Sequence, residues 1–496
     1  MKNTPQQDAF LKELVTTTSH LALVARAGCG KTSTILIAVD EIVKNSPQAE
    51  IVVCAYNKAI ADEVGEKLKK AGHTNWQKVQ AATLHSMGFG LLKYPVPPKI
   101  NDKKVLDLID LQNEDVFDQY RSQIAALVRY AKQAGVGFFN DKPIGDVGVW
   151  HELADHFDVN GLDDTSDADM VVDAAQKIYR ASLAQTNVID FDDMILFPLI
   201  KNMRVRYGKD YIFLDEAQDL SPSRQALARK FLKPKTGRMI VVGDPAQAIY
   251  GFSGADAEAL PNMIAALGAK ELPLSVTWRC PKAVVRLAQG LVPDIMAAPT
   301  APEGEVLYLD KLPDDLQPTD AILCRNTAPL IELAYKLIRA GTPCKVEGRN
   351  IGDGLKALTG RWKVKTIAAF LDKLEDYRER EIQKAMAKGN DSKVEEVEDR
   401  VSTVEAICNE CILRGLTMVA DVNDFIDALF ADGAKGVLTL ATYHRSKGRE
   451  WPRVYLWEHS LRCPSKAARQ PWQLAQEGNL AYVAYTRSQQ TLGFVG

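Results

Sequence analysis

The sequence predicts an α/β protein with two parallel-sheet core domains, each interrupted by a mainly helical insertion. Three observations carry this. First, the apolar runs Tyr211–Leu214 and Met239–Val242 each stop abruptly at an acid, in FLDEAQD and VVGDPAQAIYG. Buried parallel strands read as continuous apolar runs and deliver polar groups to the carboxyl edge of a sheet, where α/β proteins bind ligands. Second, Leu21–Val24 reads as a strand and Ser33–Val39 as an apolar, helix-compatible run, with the glycine-containing turn ARAGCGKT between them. Third, strand candidates return beyond residue 305, at Ala321–Cys324, Val437–Ala441 and Val454–Trp457, separated by helical pattern.

The elements follow in an interrupted order. To about residue 92 the reading is strand, glycine loop, helix, strand (Ile51–Ala55), helix, strand. The proline-rich break YPVPPKIND opens a mostly helical stretch, and the α/β pattern resumes at Asp190. The first core domain is therefore expected over 1–92 and 190–278, around an insertion at 93–189. PDIMAAPTAPEGE reads as a loop or linker, and the second core domain is expected over 279–350 and 434–496, around an insertion at 351–433. Within that insertion, residues 375–400 are dense in both charge signs, as a solvated helical face is.

Composition narrows the function classes. A chain of 496 residues exceeds one hydrophobic core, and its net charge of −3 excludes a global basic field, so any nucleic-acid contact must be a local groove. No apolar run reaches membrane-spanning length and MKNTPQQDAF lacks a signal-peptide core, so no membrane partner is expected. Eight cysteines, several within apolar segments, suggest a reducing compartment: the cytoplasm of a bacterial or phage-infected cell, or the nucleus of a eukaryotic one. Cys408 and Cys411 form a CxxC without a second pair at zinc-finger spacing, and read as free thiols on a helix, with zinc as the alternative.

The chemistry sits in the turn and the two acidic strand ends. Gly28 and Gly30 let backbone N–H groups close around an anion at a helix N-terminus. Lys31 would place a charge on the outer phosphates, and Thr32 would offer a hydroxyl to Mg²⁺. Ala25 stands where GxxxxGK[ST] has its first glycine. The Asp215-Glu216 pair can hold Mg²⁺ and polarise a water, so the expected reaction is hydrolysis of a nucleoside triphosphate. Arg279 in LSVTWRC and Arg487 in NLAYVAYTRS lie outside the loop's domain, where phosphoryl transfer draws charge neutralisation from a second body.

Ten motifs in order, TPQQ, ARAGCGKT, AYNKAIADEV, TLHSMG, DFDDM, LDEAQD, GDPAQAIYGFSGAD, TWRC, TYHRSKGREWPRV and LAYVAYTRS, resemble superfamily 1 DNA helicases of the UvrD/Rep type. AYNKAIADE with TLHS leans toward the short phage and F-box-helicase-like branch. The resemblance covers the two core domains, which it implies are RecA-like P-loop folds, and only weakly the insertions. It implies ATP and Mg²⁺ as cofactors, with single-stranded and tailed duplex DNA as partners. Gln7 would read the adenine edge and Trp278 would stack on it, at a position where the family commonly has tyrosine. Ala25, Gly28, Cys29, Gly30, Lys31, Thr32 and Ser33 would form the phosphate loop. Asp215 would share Mg²⁺ with Thr32, and Glu216 would activate the attacking water. Gln247 would sense the γ-phosphate, Arg279 and Arg487 would neutralise it, and Glu450 would contact the ribose. Tyr250 and Phe252 would stack on bases, while Thr83, His85, Thr442 and His444 would touch the DNA backbone.

The sequence departs from the family pattern at Ser253, where arginine is usual, and at Gly478-Asn479, where paired arginines are common. The second insertion is also short. The resulting expectation is an ATP-dependent helicase or translocase moving 3′→5′ on single-stranded DNA, with hydrolysis coupled to cleft closure between the core domains. The alternatives are an ATP-switched binding module for DNA or protein, and a motor subunit acting with a protein partner in a repair, replication, recombination or phage-defence complex.

Overall fold

The structure is a computed structural model and describes residues 3–73, 78–94, 96–157, 159, 165–251, 258–340, 342–387, 391–429, 437–468 and 470–496. The chain divides into two compact units, Met1–Ser275 and Val276–Gly496. Each is built on a six-stranded, wholly parallel sheet, as RecA-like cores are.

In the first unit the strands are β1 (Leu21–Ala25), β2 (Ile51–Cys54), β3 (Val79–Ala82), β4 (Tyr211–Leu214), β5 (Arg238–Gly243) and β6 (Lys270–Leu274). They lie in the order β3-β2-β4-β5-β1-β6. The apolar runs are continuous because both faces are covered. Leu21, Leu23, Phe213, Ile240 and Val242 enter one core, and Ala22, Ile212, Leu214, Met239 and Val241 enter the other. The edge strand β6 has no counterpart in the sequence reading, because KELPL carries too little apolar character to stand out.

Residues 93–189 supply helices Lys104–Asp110, Arg121–Ala134, Val147–His156 and Thr165–Ala184, packed around a core that contains Trp150 and Tyr179 and is joined by Leu196 of helix Phe191–Ile200. A buried ionic cluster ties these helices to the core domain. Asp190 and Asp193 form a capping box on helix Phe191–Ile200. Lys132 Nζ lies 2.5 Å from Asp190 Oδ2 and 2.7 Å from Asp193 Oδ1. Lys104 Nζ lies 2.7 Å from Asp193 Oδ2 and donates to the Ser182 and Gln185 carbonyls at 2.7 and 2.9 Å. Burial alone would lower the Lys132 ammonium; Asp193 and Asp190 outweigh it and hold it above the usual lysine value. The DFDDM motif is thus a helix cap whose acids also anchor the insertion.

The second unit contains β7 (Glu305–Leu309), β8 (Ala321–Cys324), β9 (Cys344–Val346), β10 (Leu438–Thr442), β11 (Trp451–Trp457) and β12 (Ser488–Val495), ordered β7-β12-β11-β8-β10-β9. Its inserted helices, Ile367–Ala387, Asp391–Leu413 and Val419–Leu429, share one continuous core with Ile322, Leu330 and Leu440. Cys408 and Cys411 face that core from helix Asp391–Leu413, and burial pushes their thiols up to about 12 and about 11. The unit boundary precedes the expected core boundary by three residues. Val276–Thr277 pairs in parallel with Met296–Ala297, which draws residues 276–278 into the second unit.

Removing one partner of a buried ion pair leaves an uncompensated charge, at a cost of about 3–5 kcal/mol. Lys132→Met should therefore lower the urea midpoint of the first unit steeply. A midpoint within error of wild type would show that the cluster does not hold the insertion.

Candidate nucleotide and nucleic-acid sites

In the first unit, β1, β4 and β5 present their carboxyl ends side by side, and the chemical groups gather there. After β1 the chain turns through Gly28 and Gly30, whose φ values of 71° and 80° lie in the left-handed region that glycine adopts without penalty. Helix Lys31–Asn45 starts directly behind this turn. Ala25 and Cys29 are buried beneath the loop, Lys31 and Thr32 are half-buried, and Ser33 is exposed. β4 ends at Asp215, and Glu216 follows with a φ of 53°, a left-handed conformation rare for a non-glycine residue and typical of functional sites.

Lys31 Nζ and Glu216 Oε1 meet at 2.7 Å. Burial opposes the Lys31 charge, but Glu216, Asp215 and Asp244 together hold the ammonium above the usual lysine value. Gln218 donates to Glu216 Oε2 at 2.5 Å and accepts from the Asp244 N–H at 3.1 Å, so it couples the two acidic strand ends. Gly243 makes room for it, since a Cβ there would come within 2.5 Å of Gln218 Oε1. Asp244 accepts from Arg26 at 2.9 Å and from Gln247 at 2.7 Å. Gln7 is buried, closes the capping box with Thr4, and donates to Thr34 Oγ1 at 2.8 Å, which places it against the helix that follows the loop.

The carboxyl edge of this sheet also carries Thr83 and His85. Thr83 caps helix Leu84–Leu92 by accepting from the Ser86 N–H at 3.1 Å. His85 packs edge-on against exposed Phe191. Tyr250 stacks on Tyr56 with ring centroids 5.9 Å apart and planes 10° apart. Tyr56 was not singled out by the sequence reading, although it stands just beyond the end of β2, as Tyr250 does beyond β5. Phe252 and Ser253 lie outside the described residues.

In the second unit, Trp278 is 56% exposed beside Arg279. The Arg279 guanidinium pairs with Glu450, whose other oxygen accepts from Gln489 at 3.0 Å. Arg487 is buried and donates to the carbonyls of Val483 and Arg449 at 2.8 and 3.2 Å and to Thr486 Oγ1 at 3.0 Å. Thr442 ends β10 as the cap of the short helix Tyr443–Ser446, which contains His444. Thr83-Leu84-His85 and Thr442-Tyr443-His444 are therefore the same device on two sheets: a capping threonine at a strand end with a histidine two residues on.

Both histidines are held neutral. Burial, then Arg224, lowers His85 to about 4; burial, then Arg325, Arg445 and Lys447, lowers His444 to about 3.

Two parallel α/β sheets, with a glycine turn, a lysine and paired carboxylates at one carboxyl edge, define a P-loop nucleotide-binding protein. Residues 3–266 match the UvrD/REP helicase N-terminal domain and residues 359–495 the UvrD-like helicase C-terminal domain, so the chain belongs to the UvrD/REP helicase family. It is 26% identical over 281 residues to the ATP-dependent DNA helicase SRS2 of Saccharomyces cerevisiae, covering 51% of this chain and 23% of that protein. It is 29% identical over 252 residues to the ATP-dependent DNA helicase Rep of Buchnera aphidicola, covering 47% and 36%. With PcrA of Staphylococcus aureus it shares 26% over 266 residues, covering 51% and 34%. The matches thus span between 23% and 36% of these relatives' own length. Among the described residues, no helix is long and apolar enough to cross a membrane.

The histidines give this geometry a pH signature. An unfolded histidine protonates near 6.5, above the folded values, so the unfolded state binds more protons as pH falls. Stability from these rings is complete above about pH 6.5 and is lost as pH falls toward about 4 for His85 and about 3 for His444. His444→Gln should therefore flatten the fall in urea stability below about pH 6.5, by up to ~1.4 kcal/mol per pH unit. An unchanged slope would place a proton on the native ring.

Proposed function

We propose that the chain is an ATP-dependent DNA helicase or translocase that moves on single-stranded DNA. The observation that carries this reading is the Lys31–Glu216 contact at the carboxyl edge of a parallel sheet, in a chain of this family. A phosphate-binding lysine and a water-activating carboxylate must both face the γ-phosphate, and these two are within reach of one point. The loop fits the anion, because its left-handed glycines let successive backbone N–H groups turn toward one point. The oxygen donors Thr32 and Asp215 suit Mg²⁺ and would hold it, and the ion would supply charge neutralisation for the phosphates.

The remaining roles in this proposal, apart from those of Gln218 and Tyr56, are those that the family resemblance implies. Glu216 takes the proton of the attacking water, and Gln218, bonded to both Glu216 and Asp244, holds the carboxylate in orientation. Gln247 exchanges its Asp244 bond for the terminal phosphate. Arg279 and Arg487 reach that phosphate when the two core domains close on ATP, Arg487 by giving up carbonyl contacts. Trp278 and Gln7 hold the adenine, and Glu450 the ribose. Tyr250, Phe252 and Tyr56 stack on bases, worth about 1–3 kcal/mol each. Thr83, His85, Thr442 and His444 hold phosphates with uncharged donors.

Steady-state ATP hydrolysis with and without a single-stranded oligonucleotide tests the reading, with Lys31→Ala as the blank. Strong stimulation that vanishes in the variant is expected; hydrolysis indifferent to the oligonucleotide would favour the nucleotide-switched module. Glu216→Gln should keep ATP binding but abolish turnover, and retained turnover would remove Glu216 as the base. Unwinding should require a 3′ tail, and efficient opening of only 5′-tailed duplexes would reverse the polarity.

A further inference from the structure

The amino edge of the first sheet, at the far ends of the strands that carry the nucleotide site, bears a built basic surface. The segments entering β4 and β5 lie side by side because those strands are neighbours. Their backbones are laced together: the Lys209 N–H donates to Phe231 O at 2.7 Å, and the Lys233 N–H to Lys209 O at 3.0 Å. A bridge between Lys209 and Leu232 extends the parallel pairing. Gly237 permits the approach, since a Cβ there would meet the Lys233 backbone nitrogen at 2.7 Å.

Residues 201–210 and 230–235 hold seven lysines and arginines against one acid, Asp210, in a chain of net charge −3. Some of that charge is spent locally. Lys233 pairs with Asp210 at 2.8 Å, Lys209 approaches Glu50 at 3.9 Å, and Lys230 donates to the Asn202 side chain at 3.1 Å. Arg204 and Arg206 are exposed and make no side-chain hydrogen bond or ion pair among the described residues. Next to them Tyr207 is 76% exposed. Two grooves, of about 840 and about 350 Å³, are both lined by Arg204, Val205, Arg206 and Tyr207.

We propose that this edge is a second binding site for single-stranded nucleic acid. Unpaired guanidinium groups beside an exposed aromatic ring meet the two needs of a single strand, phosphate neutralisation and a stacking platform. An acidic protein surface would engage the arginines but leave Tyr207 without a partner. The segments that carry Arg204, Arg206 and Tyr207 enter the strands at the ends opposite the nucleotide site, and the smaller groove runs from them along β3 to Ala82 and Ser86, so a strand held here leaves Lys31 and Glu216 open. A protein that separates a duplex produces such a ligand, yet binding here requires no turnover, so the proposal stands apart from the motor reading.

Binding of fluorescent oligo(dT) of about 12 nucleotides, within the usual range of single-strand site sizes, tests it on the full chain at low salt. Wild type and Lys31→Ala should each bind two oligonucleotides per chain. R204A/R206A should bind one, with oligonucleotide-stimulated hydrolysis intact and the circular dichroism spectrum unchanged. The weaker isotherm should lose roughly 1.4 from its logarithmic salt slope for the two phosphates released. R204K/R206K should restore the second site in part, and Y207A should weaken it without changing the slope. One oligonucleotide per wild-type chain that R204A/R206A still binds would overturn the proposal, as would unchanged stoichiometry in R204A/R206A; one that R204A/R206A loses would leave the edge as the site and remove the main track. Loss of stimulated hydrolysis in R204A/R206A would also overturn it, by making this edge part of the main track. Displacement of the second oligonucleotide by polyglutamate as readily as by unlabelled oligo(dT) would assign the edge to an acidic protein instead. Two oligonucleotides bound by a wild-type chain that hydrolyses no ATP would sink only the motor reading.

Discussion

Everything at the nucleotide edge depends on bringing Lys31 to Glu216 across 185 residues of sequence. The strand order β3-β2-β4-β5-β1-β6 does this, because it seats β5 directly beside β1 and β4 beside β5, and points all three the same way. Any antiparallel member would send its terminal polar residues to the opposite edge. Parallel pairing in turn needs helical crossovers on both faces, and those helices explain why the strands are apolar on both sides. The acids then have one place left to go, which is the strand end. Gln218 bonding both acidic termini, and Gly243 clearing space for its side chain, are consequences of packing β4 against β5.

The two insertions meet the problem of attachment differently. The first shares its apolar core with the sheet domain only through Leu196 and Ile200 of helix Phe191–Ile200, a narrow contact that buried charge reinforces. Lys104 and Lys132, buried against Asp190 and Asp193, fix it by charge and hydrogen-bond geometry. Such a cluster tolerates little displacement, since each ion is already out of water and loses its compensation if a partner moves. The second insertion is continuous with the core of its unit, and apolar packing joins it without a comparable buried ion cluster among the described residues.

Much of this was legible in the sequence because the signals were local. GKT after an apolar run, acids at the ends of apolar runs and a proline-rich break are each read within a dozen residues. Tyr211–Leu214 and Ala321–Cys324 were bounded correctly for that reason. Strands without apolar contrast were missed: β6 is KELPL at a sheet edge, β7 is half-exposed, and β12 reads SQQTLGFV. Partnerships between distant residues were also illegible. Nothing local marks Gln218 as a bridge between two strand ends, or DFDDM as the anchor of helices beginning some ninety residues earlier. Tyr56 was findable, since the rule applied to Tyr250 applies equally one strand over.

The distribution of charge over the strand ends follows a physical logic that the proposed motor would need. At both carboxyl edges the Thr-x-His elements present neutral groups: a hydroxyl engaged as a cap and an imidazole that burial keeps unprotonated. Cations flank each pair, Arg224 near His85 and Arg325, Arg445 and Lys447 near His444, so a phosphate chain there would be attracted by charge and oriented by the neutral hydroxyl and imidazole. Beside the acids that would meet ATP, Lys31 and Arg26 are paired with Glu216 and Asp244. Unpaired arginines gather at the amino edge of the first sheet, away from the moving parts, where a strand could be held rather than passed along. The two edges of this sheet therefore differ in the partners of their cations: Lys31 and Arg26 face acids at the carboxyl edge, whereas Arg204 and Arg206 face solvent at the amino edge.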